Sequence, residues 1–291
     1  MDQQTQGKIV AVTSVEGAQQ GAVARAFSDA GWRVRAVARS ARQTAYGASH
    51  PAQLETGEGL AAAFQGADAA IVALPQDHRP GVMTRIADAA ARAARDAGVA
   101  RFVLNTGGPI AERSSDPLAI ELRAARSAAR AAFDGAVILQ PTVYMDNLLA
   151  PWSVEALRTL GVLAYPAPAE ARIAWVSHRT LGEFALAAAT HVAAVGREFR
   201  IGGPRALRGG DVAAALSVRL GKPIAYQATP LDAFAAGLNA QFGAPAGDRI
   251  ASIYARLVEE PDALAVGDAA ARALGVAPED IADFARRNAW H

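Results

Sequence analysis

The chain is expected to fold as an α/β protein on a doubly wound parallel sheet (a Rossmann arrangement), with a smaller, mostly helical C-terminal region. Three observations predict it. Short apolar runs alternate with helical periodicity as far as Pro141. Those runs are continuously apolar rather than alternating, as strands covered on both faces are. The first run also leads through a turn of small residues straight into a helix.

That first turn is the most informative stretch. Residues 9–12 read as a buried parallel strand, Gly17 and Gly21 allow close backbone approach, and helical spacing resumes at residues 22–27 with N–H groups aimed at an anion. Gly-x-x-Gly-x-x-Gly is the intact form of such a turn. Here its three positions read Ser14, Gly17 and Gln20, with Gly21 beside the last. A lone altered glycine motif fits an ordinary strand-to-helix turn as readily as a phosphate site.

The remaining elements follow in order. A helix is expected at 22–30 and a strand at 34–38. A stretch rich in Ser, Gly and His, running through residue 57, leaves the third strand short or missing. Next come a short helix at 60–64, a buried strand at 69–74, and a long helix at 82–97 stopped by Gly98. A strand at 101–104, a helix at 118–133 and a strand at 136–139 closed by Pro141 complete the alternation. Beyond Pro141, strands at 172–176 and 198–201 flank a helix at 181–194. Short helices then include 210–220 and 281–288, the last opened by Pro278, Glu279 and Asp280, whose acidic groups suit a positive helix end. The expected division is residues 1–148 plus about 171–205 as a dinucleotide-binding domain, and 149–170 plus 206–291 as a smaller substrate-binding region.

Composition narrows the function. At 291 residues and 52% hydrophobic content the chain can bury a sizeable core. A net charge of +1 without runs of like charge gives no reason to expect nucleic acid or a membrane as partner. The absence of cysteine removes disulfides, thiolate metal sites and cysteine nucleophiles. His50, His78, His178, His191 and His291 never fall at metal-ligand spacing, so no metal is expected; His78 and His178 read as surface residues. A polar start, with no long apolar run after it, points to a cytoplasmic protein. Among 29 lysines and arginines only Lys8 and Lys222 are lysines, which leaves few candidates for a catalytic amine.

Several segments, in order, carry a resemblance: V-T-S-V-E-G-A-Q-Q-G, V-R-A-V-A-R, A-D-A-A-I-V-A-L-P, D-A-G-V-A-R-F-V-L-N-T, I-L-Q-P-T-V-Y-M-D-N and I-G-G-P-R-A-L-R-G-G-D-V-A-A-A-L, with P-E-D-I-A-D-F-A-R-R-N-A-W at the end. Over nearly its whole length the sequence resembles the NmrA-like group of atypical short-chain dehydrogenases/reductases. The resemblance implies an NAD(P)-binding Rossmann domain, a small C-terminal region over the nicotinamide, and a role either as reductase or as redox-sensing regulator. Departures from the group are Ser14 and Gln20 for glycines, Gln140 for an arginine, and Thr180 for an aspartate. No tyrosine is followed four residues later by lysine, so the Tyr-x-x-x-Lys pair of ordinary members is missing. Where related reductases carry a lysine, Arg123 or Arg126 stands instead, and an arginine cannot relay a proton at usable pH.

The candidate cofactor residues are Thr13, Ser14, Gly17, Gln19, Gln20, Gly21, Arg39, Ser40, Leu74, Pro75, Asn105, Thr106 and Pro141. Arg39 ends the second strand where an acidic residue would bind the ribose hydroxyl of NAD and an arginine suits the 2′-phosphate of NADP, with Ser40 and Arg42 as helpers. A solvated arginine is the plain alternative. Leu74 and Pro75 end one strand and cover the expected adenosine side, or else are merely a strand exit. Asn105 and Thr106 end the next at the ligand edge, or else only shape the turn before Gly107 and Gly108. By resemblance, Pro141, Thr142 and Tyr144 border the nicotinamide. Tyr144 is then the proton donor to test, although a buried tyrosine bonded to backbone fits equally. Met145, Leu148, Leu149 and Trp152 line an apolar substrate pocket or form plain core.

Together these expectations describe an NADPH-dependent oxidoreductase passing hydride to a small electrophilic acceptor (quinone, azo, iminium or activated alkene). Without Tyr and Lys, simple alcohol or ketone interconversion is disfavoured, because its alkoxide-like transition state needs a donor near the carbonyl oxygen. Two alternatives stand beside it: a non-catalytic NADP(H)-sensing regulator with a protein partner, and a non-redox catalyst on the same fold. The substrate's identity and the oligomeric state are not legible in the sequence.

Overall fold

In the computed structural model, which describes residues 7–75, 77 and 79–290, the chain runs through alternating strands and helices up to Pro141. They are β1 (Ile9–Thr13), α1 (Ala18–Asp29), β2 (Arg33–Ala38), β3 (Gln43–Thr44), β4 (Gly47–Ala48), β5 (His50–Pro51), α2 (Leu60–Phe64), β6 (Ala69–Ala73), α3 (Val82–Asp96), β7 (Arg101–Asn105), α4 (Pro117–Ala132) and β8 (Val137–Pro141). Then come α5 (Pro151–Leu160), β9 (Val162–Tyr165), α6 (His178–Thr190), β10 (Glu198–Ile201), α7 (Gly209–Leu220), β11 (Ala225–Ala228), α8 (Leu231–Phe242), α9 (Ala246–Glu259), α10 (Ala269–Leu274) and α11 (Ile281–Arg287). His78, expected at the surface, lies outside the described residues.

Two compact units result. The first takes the chain up to Pro141 with His178–Ile201 and Ala270–Val276; the second takes Thr142–Ser177, Gly202–Ala269 and the chain from Ala277. Residues 142–148, 171–177 and 202–205, which the sequence reading assigned to the nucleotide-binding part, therefore pack in the second unit.

In the first unit a seven-stranded sheet has the order β10-β8-β7-β6-β1-β2-β5, and every pairing in it is parallel. β1 steps to β2 and β5 on one side, and the chain then crosses to β6 on the other. The strand order thus reverses between β1 and β6, where an open α/β sheet leaves a crevice at its carboxyl ends. Val10, Ala11, Val12, Ala69, Ala70, Ile71 and Val72 have no exposed surface, as strands covered on both faces require. The short third strand is β5, reached through the β3–β4 hairpin.

Small residues bring the helices close. Gly182 of α6 lies where a Cβ would stand 2.7 Å from the Ala22 carbonyl oxygen and 3.0 Å from the Ala26 Cβ of α1. α3 begins at Gly81, which offers no side-chain cap, and its leading amides turn to α4 instead. Glu121 accepts from the N–H groups of Gly81 and Thr84 and from the Thr84 hydroxyl, each at 3.0 Å. This carboxylate holds the positive end of α3. At the end of α2, Arg35 donates to the carbonyls of Ala63 (2.9 Å) and Gln65 (2.6 Å), placing a cation on the helix's negative end.

The second unit has its own core, in which Leu148, Tyr165, Trp175, Leu216, Leu257 and Phe284 are buried together. β9 and β11 pair in parallel there. Residues 172–176, expected as a strand, are not one. Their backbone groups are shared out among separate segments: Arg172 N–H to Pro261, Ile173 N–H to Leu207 and Ala174 N–H to Leu264, so no continuous ladder forms. The last helix is capped as expected, Asp280 accepting from Asp283 N–H at 2.7 Å.

Gly182→Val should press a branched side chain into α1 and lower stability by about 1–3 kcal/mol. Urea unfolding checks this, and an unchanged midpoint would contradict the close α1–α6 packing.

Candidate functional site

All the cofactor candidates named from the sequence lie in the first unit, on or beside the carboxyl ends of β1, β2, β6, β7 and β8. The turn after β1 is anchored by Ser14 N–H, which donates to Val37 on β2 (3.0 Å), and by Gly17 N–H, which donates back to Ser14 (2.9 Å). Ser14 has a positive φ of 56°, unusual for a residue with a side chain, in a position glycine adopts freely. Gly17 is the N-cap of α1, offers no side-chain hydrogen bond, and is followed by a first turn without acidic residues. The helix starts four residues earlier than expected, because Ala18, Gln19 and Gln20 are all helix-compatible once Gly17 has turned the chain.

The two glycines do different work. At Gly21 a Cβ would stand 2.9 Å from the Val15 carbonyl oxygen, so the close approach is internal to the turn. At Gly17 the nearest atom to such a Cβ is the Ser14 carbonyl oxygen at 3.3 Å, and its φ of −74° suits any residue. Having no side chain, it puts nothing of its own in front of the helix.

Side chains tie this turn to the sheet. Gln20 is buried and donates to the Ile71 carbonyl at 3.4 Å, while its Oε1 is buried without a partner. Asn105 reaches Gln19 Oε1 at 3.4 Å and accepts from Gly107 N–H at 2.9 Å. Thr13 Oγ1 accepts from Ala73 N–H at 3.4 Å, joining β1 to β6. Thr106 is fully buried, its hydroxyl directed at the carbonyls of Gly108 (2.6 Å) and Leu139 (3.1 Å). Leu74 is buried and Pro75 exposed. Beyond them, Arg79 and Arg85 both pair with Glu55, at 2.9 and 2.7 Å.

Arg39 and Ser40 are exposed at the end of β2. Arg42 pairs with Glu16 in the turn. Arg123 donates to the Ala111 carbonyl at 2.5 Å. Arg126 pairs with Glu112 and, at 3.3 Å, with Glu198, and these carboxylates hold its guanidinium above the ordinary arginine range. Gln140, in the place of an arginine, donates to Glu198 at 3.0 Å. Both arginines that stand for the missing lysine are thus engaged on α4.

The substrate candidates belong to the second unit. Tyr144, Met145 and Leu148 are buried and Trp152 is partly exposed. Tyr144 bridges Val176 through its backbone. Sequence reasoning missed a tyrosine pair here: Tyr165 and Tyr254 place their hydroxyls 2.7 Å apart, with Asn147 Nδ2 3.4 Å from that of Tyr165. Trp152 packs on Tyr165 and Phe234 at ring separations of 5.6 and 5.4 Å. Burial pushes the Tyr165 hydroxyl well up, helped by Tyr254, and pushes Tyr254 up to about 12. Partners 89 residues apart leave no local signal in the sequence. Among the described residues no cluster of His, Asp or Glu is placed to hold a metal, and no helix is long and apolar enough to cross a membrane.

Residues 6–262 match the NmrA-like family. The chain belongs to that family. This NmrA-like protein is 30% identical over 200 residues to an NAD(P)H azoreductase of Xenophilus azovorans, a match covering 68% of each chain. Among solved structures it is similar to the Citrobacter triphenylmethane reductase in complex with NADP(H), with a TM-score of 0.80, 19% identity, and coverage of 96% of this chain and 99% of that one. An NADPH-dependent quinone oxidoreductase of Escherichia coli gives a TM-score of 0.74 at 20% identity, over 96% of this chain and 99% of that one. NmrA, a negative transcriptional regulator solved with NADP, gives 0.71 at 16%, over 97% and 95%. These structures share the fold.

Two outcomes follow. Gly21→Val should cost about 1–3 kcal/mol through the clash with Val15, whereas Gly17→Val, with its nearest contact at 3.3 Å, should lower the urea midpoint less; equal losses would contradict the division of roles. The buried tyrosines make stability pH-dependent. Their folded pKa values are raised above 10.0, so the unfolded chain loses these protons first. Stability is then whole below about pH 10 and falls as pH rises toward about 12. Urea midpoints on either side of pH 10 should show this loss, reduced in Tyr254→Phe; an equal loss in both proteins would contradict it.

Proposed function

We propose that this NmrA-like protein is an NADPH-dependent reductase acting on a small electrophilic acceptor of the quinone, azo, iminium or activated-alkene class. One observation carries the reading: α1 opens at the switch point of the sheet with a glycine cap that has no side chain to place before the helix, and with no acidic residue in its first turn. Such an end attracts a phosphate through its leading N–H groups and the helix dipole. The residues fit a dinucleotide on this ground, and the reductase relatives support the redox role.

Bound NADPH would supply the hydride. The first-turn amides of α1 hold the pyrophosphate, and Thr13, Ser14, Gln19, Gln20 and Gly21 shape the turn around it. Arg39, with Ser40, takes the 2′-phosphate. Leu74 and Pro75 cover the adenosine side, while Asn105, Thr106 and Pro141 form the far wall of the edge. Trp152 gives the acceptor apolar surface, backed by the core that holds Met145 and Leu148. Tyr144 is the candidate donor of a proton from its hydroxyl; an acceptor such as a quinone can instead take that proton from water. Arg123 and Arg126 move no proton, being held in ion pairs and carbonyl contacts.

A regulator that binds NADP(H) without turnover is the second reading. It is favoured by the missing Tyr-x-x-x-Lys pair and by the engagement of both arginines at that place.

Titration with NADPH and NADH, followed by loss of nicotinamide absorbance on adding a quinone or an azo dye, separates these readings. Tighter binding of NADPH with turnover is expected, and binding without turnover selects the regulator. Absence of binding removes both. Arg39→Ala should weaken NADPH about ten- to a hundredfold and erase most of the preference over NADH, because charge-assisted phosphate contacts are lost. A variant that keeps its preference would place the 2′-phosphate elsewhere. Tyr144→Phe should slow turnover by at least about 10²-fold with NADPH affinity nearly unchanged. An unchanged rate would remove Tyr144 as the acid, and lost NADPH binding would assign it to the cofactor instead.

A further inference from the structure

Glu16 is the one residue of the turn whose charge opposes the chemistry proposed for it. It stands immediately before Gly17, where a carboxylate repels any phosphate that α1 attracts. Its Oε2 lies 2.5 Å from Arg42 Nη2, with the two side chains 46% and 47% exposed. Arg42 is held ready for this by the backbone. Ser49, itself buried, donates through Oγ to the Ser40 carbonyl (3.0 Å) and accepts at the same oxygen from Arg42 N–H (3.0 Å). Ser49 N–H donates to the Arg42 carbonyl at 2.8 Å, and Gln53 Nε2 donates to the Arg39 carbonyl at 3.2 Å. The 39–42 segment is thus a fixed loop that carries two arginines. Arg39 stands exposed on it, and Arg42 is turned toward the phosphate turn by Glu16.

We infer that the Glu16–Arg42 pair is a latch that tempers the preference for NADPH over NADH. This rests on the reading of the turn as a nucleotide site. The 2′-phosphate of NADPH competes with the Glu16 carboxylate for Arg42, so binding NADPH exchanges one anionic partner for a better one. NADH has no such group and leaves the pair closed. Glu16 therefore subtracts from NADPH affinity the cost of opening an exposed ion pair and holds the preference for NADPH below what two arginines alone would give. An exposed pair of this kind corresponds to about a two- to fivefold change in affinity.

A double-mutant cycle reads the latch directly: dissociation constants for NADPH and NADH are measured on the full chain, Glu16→Gln, Arg42→Ala and the double variant. Glu16→Gln should raise the preference for NADPH over NADH about two- to fivefold. Arg42→Ala should lower it, and in the Arg42→Ala background Glu16→Gln should leave the preference unchanged while tightening both nucleotides equally. If Glu16→Gln tightens both equally while Arg42 is present, the carboxylate only repels the pyrophosphate and the latch is wrong. If the preference still rises without Arg42, Glu16 acts on the 2′-phosphate other than through Arg42 and the latch is again wrong. Binding of neither nucleotide to any of the four proteins would overturn the nucleotide reading itself, a failure distinguishable from that of the latch.

Discussion

A helix that begins on a glycine brings no side chain of its own to its leading N–H groups, and α1 begins this way at the place where the parallel sheet reverses its strand order. That constraint organises the first unit. The N–H groups and the helix dipole concentrate positive potential at the crevice, and Ser14, Gln20 and Gly21 keep the turn tight enough for backbone to face outward. The contrast with α3 is instructive. That helix also opens on a glycine, but Glu121 closes its positive end from α4, leaving it nothing to offer an anion.

The turn shows how an altered motif keeps its geometry. Ser14 accepts the positive φ that a glycine would take without strain, and its backbone is held to Val37. Gln20, in place of the third glycine, does not push α1 away from the sheet. Its side chain lies buried and reaches Ile71, with one oxygen left unpartnered, so the substitution has a polar cost that the surrounding packing bears. Gly21 then supplies the close approach that the third glycine would have given. Affinity for the nucleotide is in this view a matter of local charge and polarity, while the fold of the turn is intact.

Much of this was legible in the sequence, because buried parallel strands read as unbroken apolar runs and helix ends are marked by Gly98 and Asp280, although α1 begins just after Gly17, four residues before the start expected for it. The unit boundary and the 172–176 segment were misread. That segment is apolar and extended, but its hydrogen bonds go to Pro261, Leu207 and Leu264, and no local pattern reveals partners so far along the chain. The same reason hid the Tyr165–Tyr254 pair and the Glu121 clamp. Glu16 and Arg42 were visible as residues but not as a pair, since the β3–β4 hairpin and Ser49 place the backbone of Arg42 beside the turn.

The central claim is that the first-turn amides of α1 receive a phosphate of the dinucleotide, and amide hydrogen exchange tests it at the groups concerned. With saturating NADPH, exchange at Ala18, Gln19 and Gln20 should slow markedly, with a smaller effect on the residues following β2. Exchange at those amides unaltered by saturating nucleotide, with protection appearing elsewhere, would contradict the account.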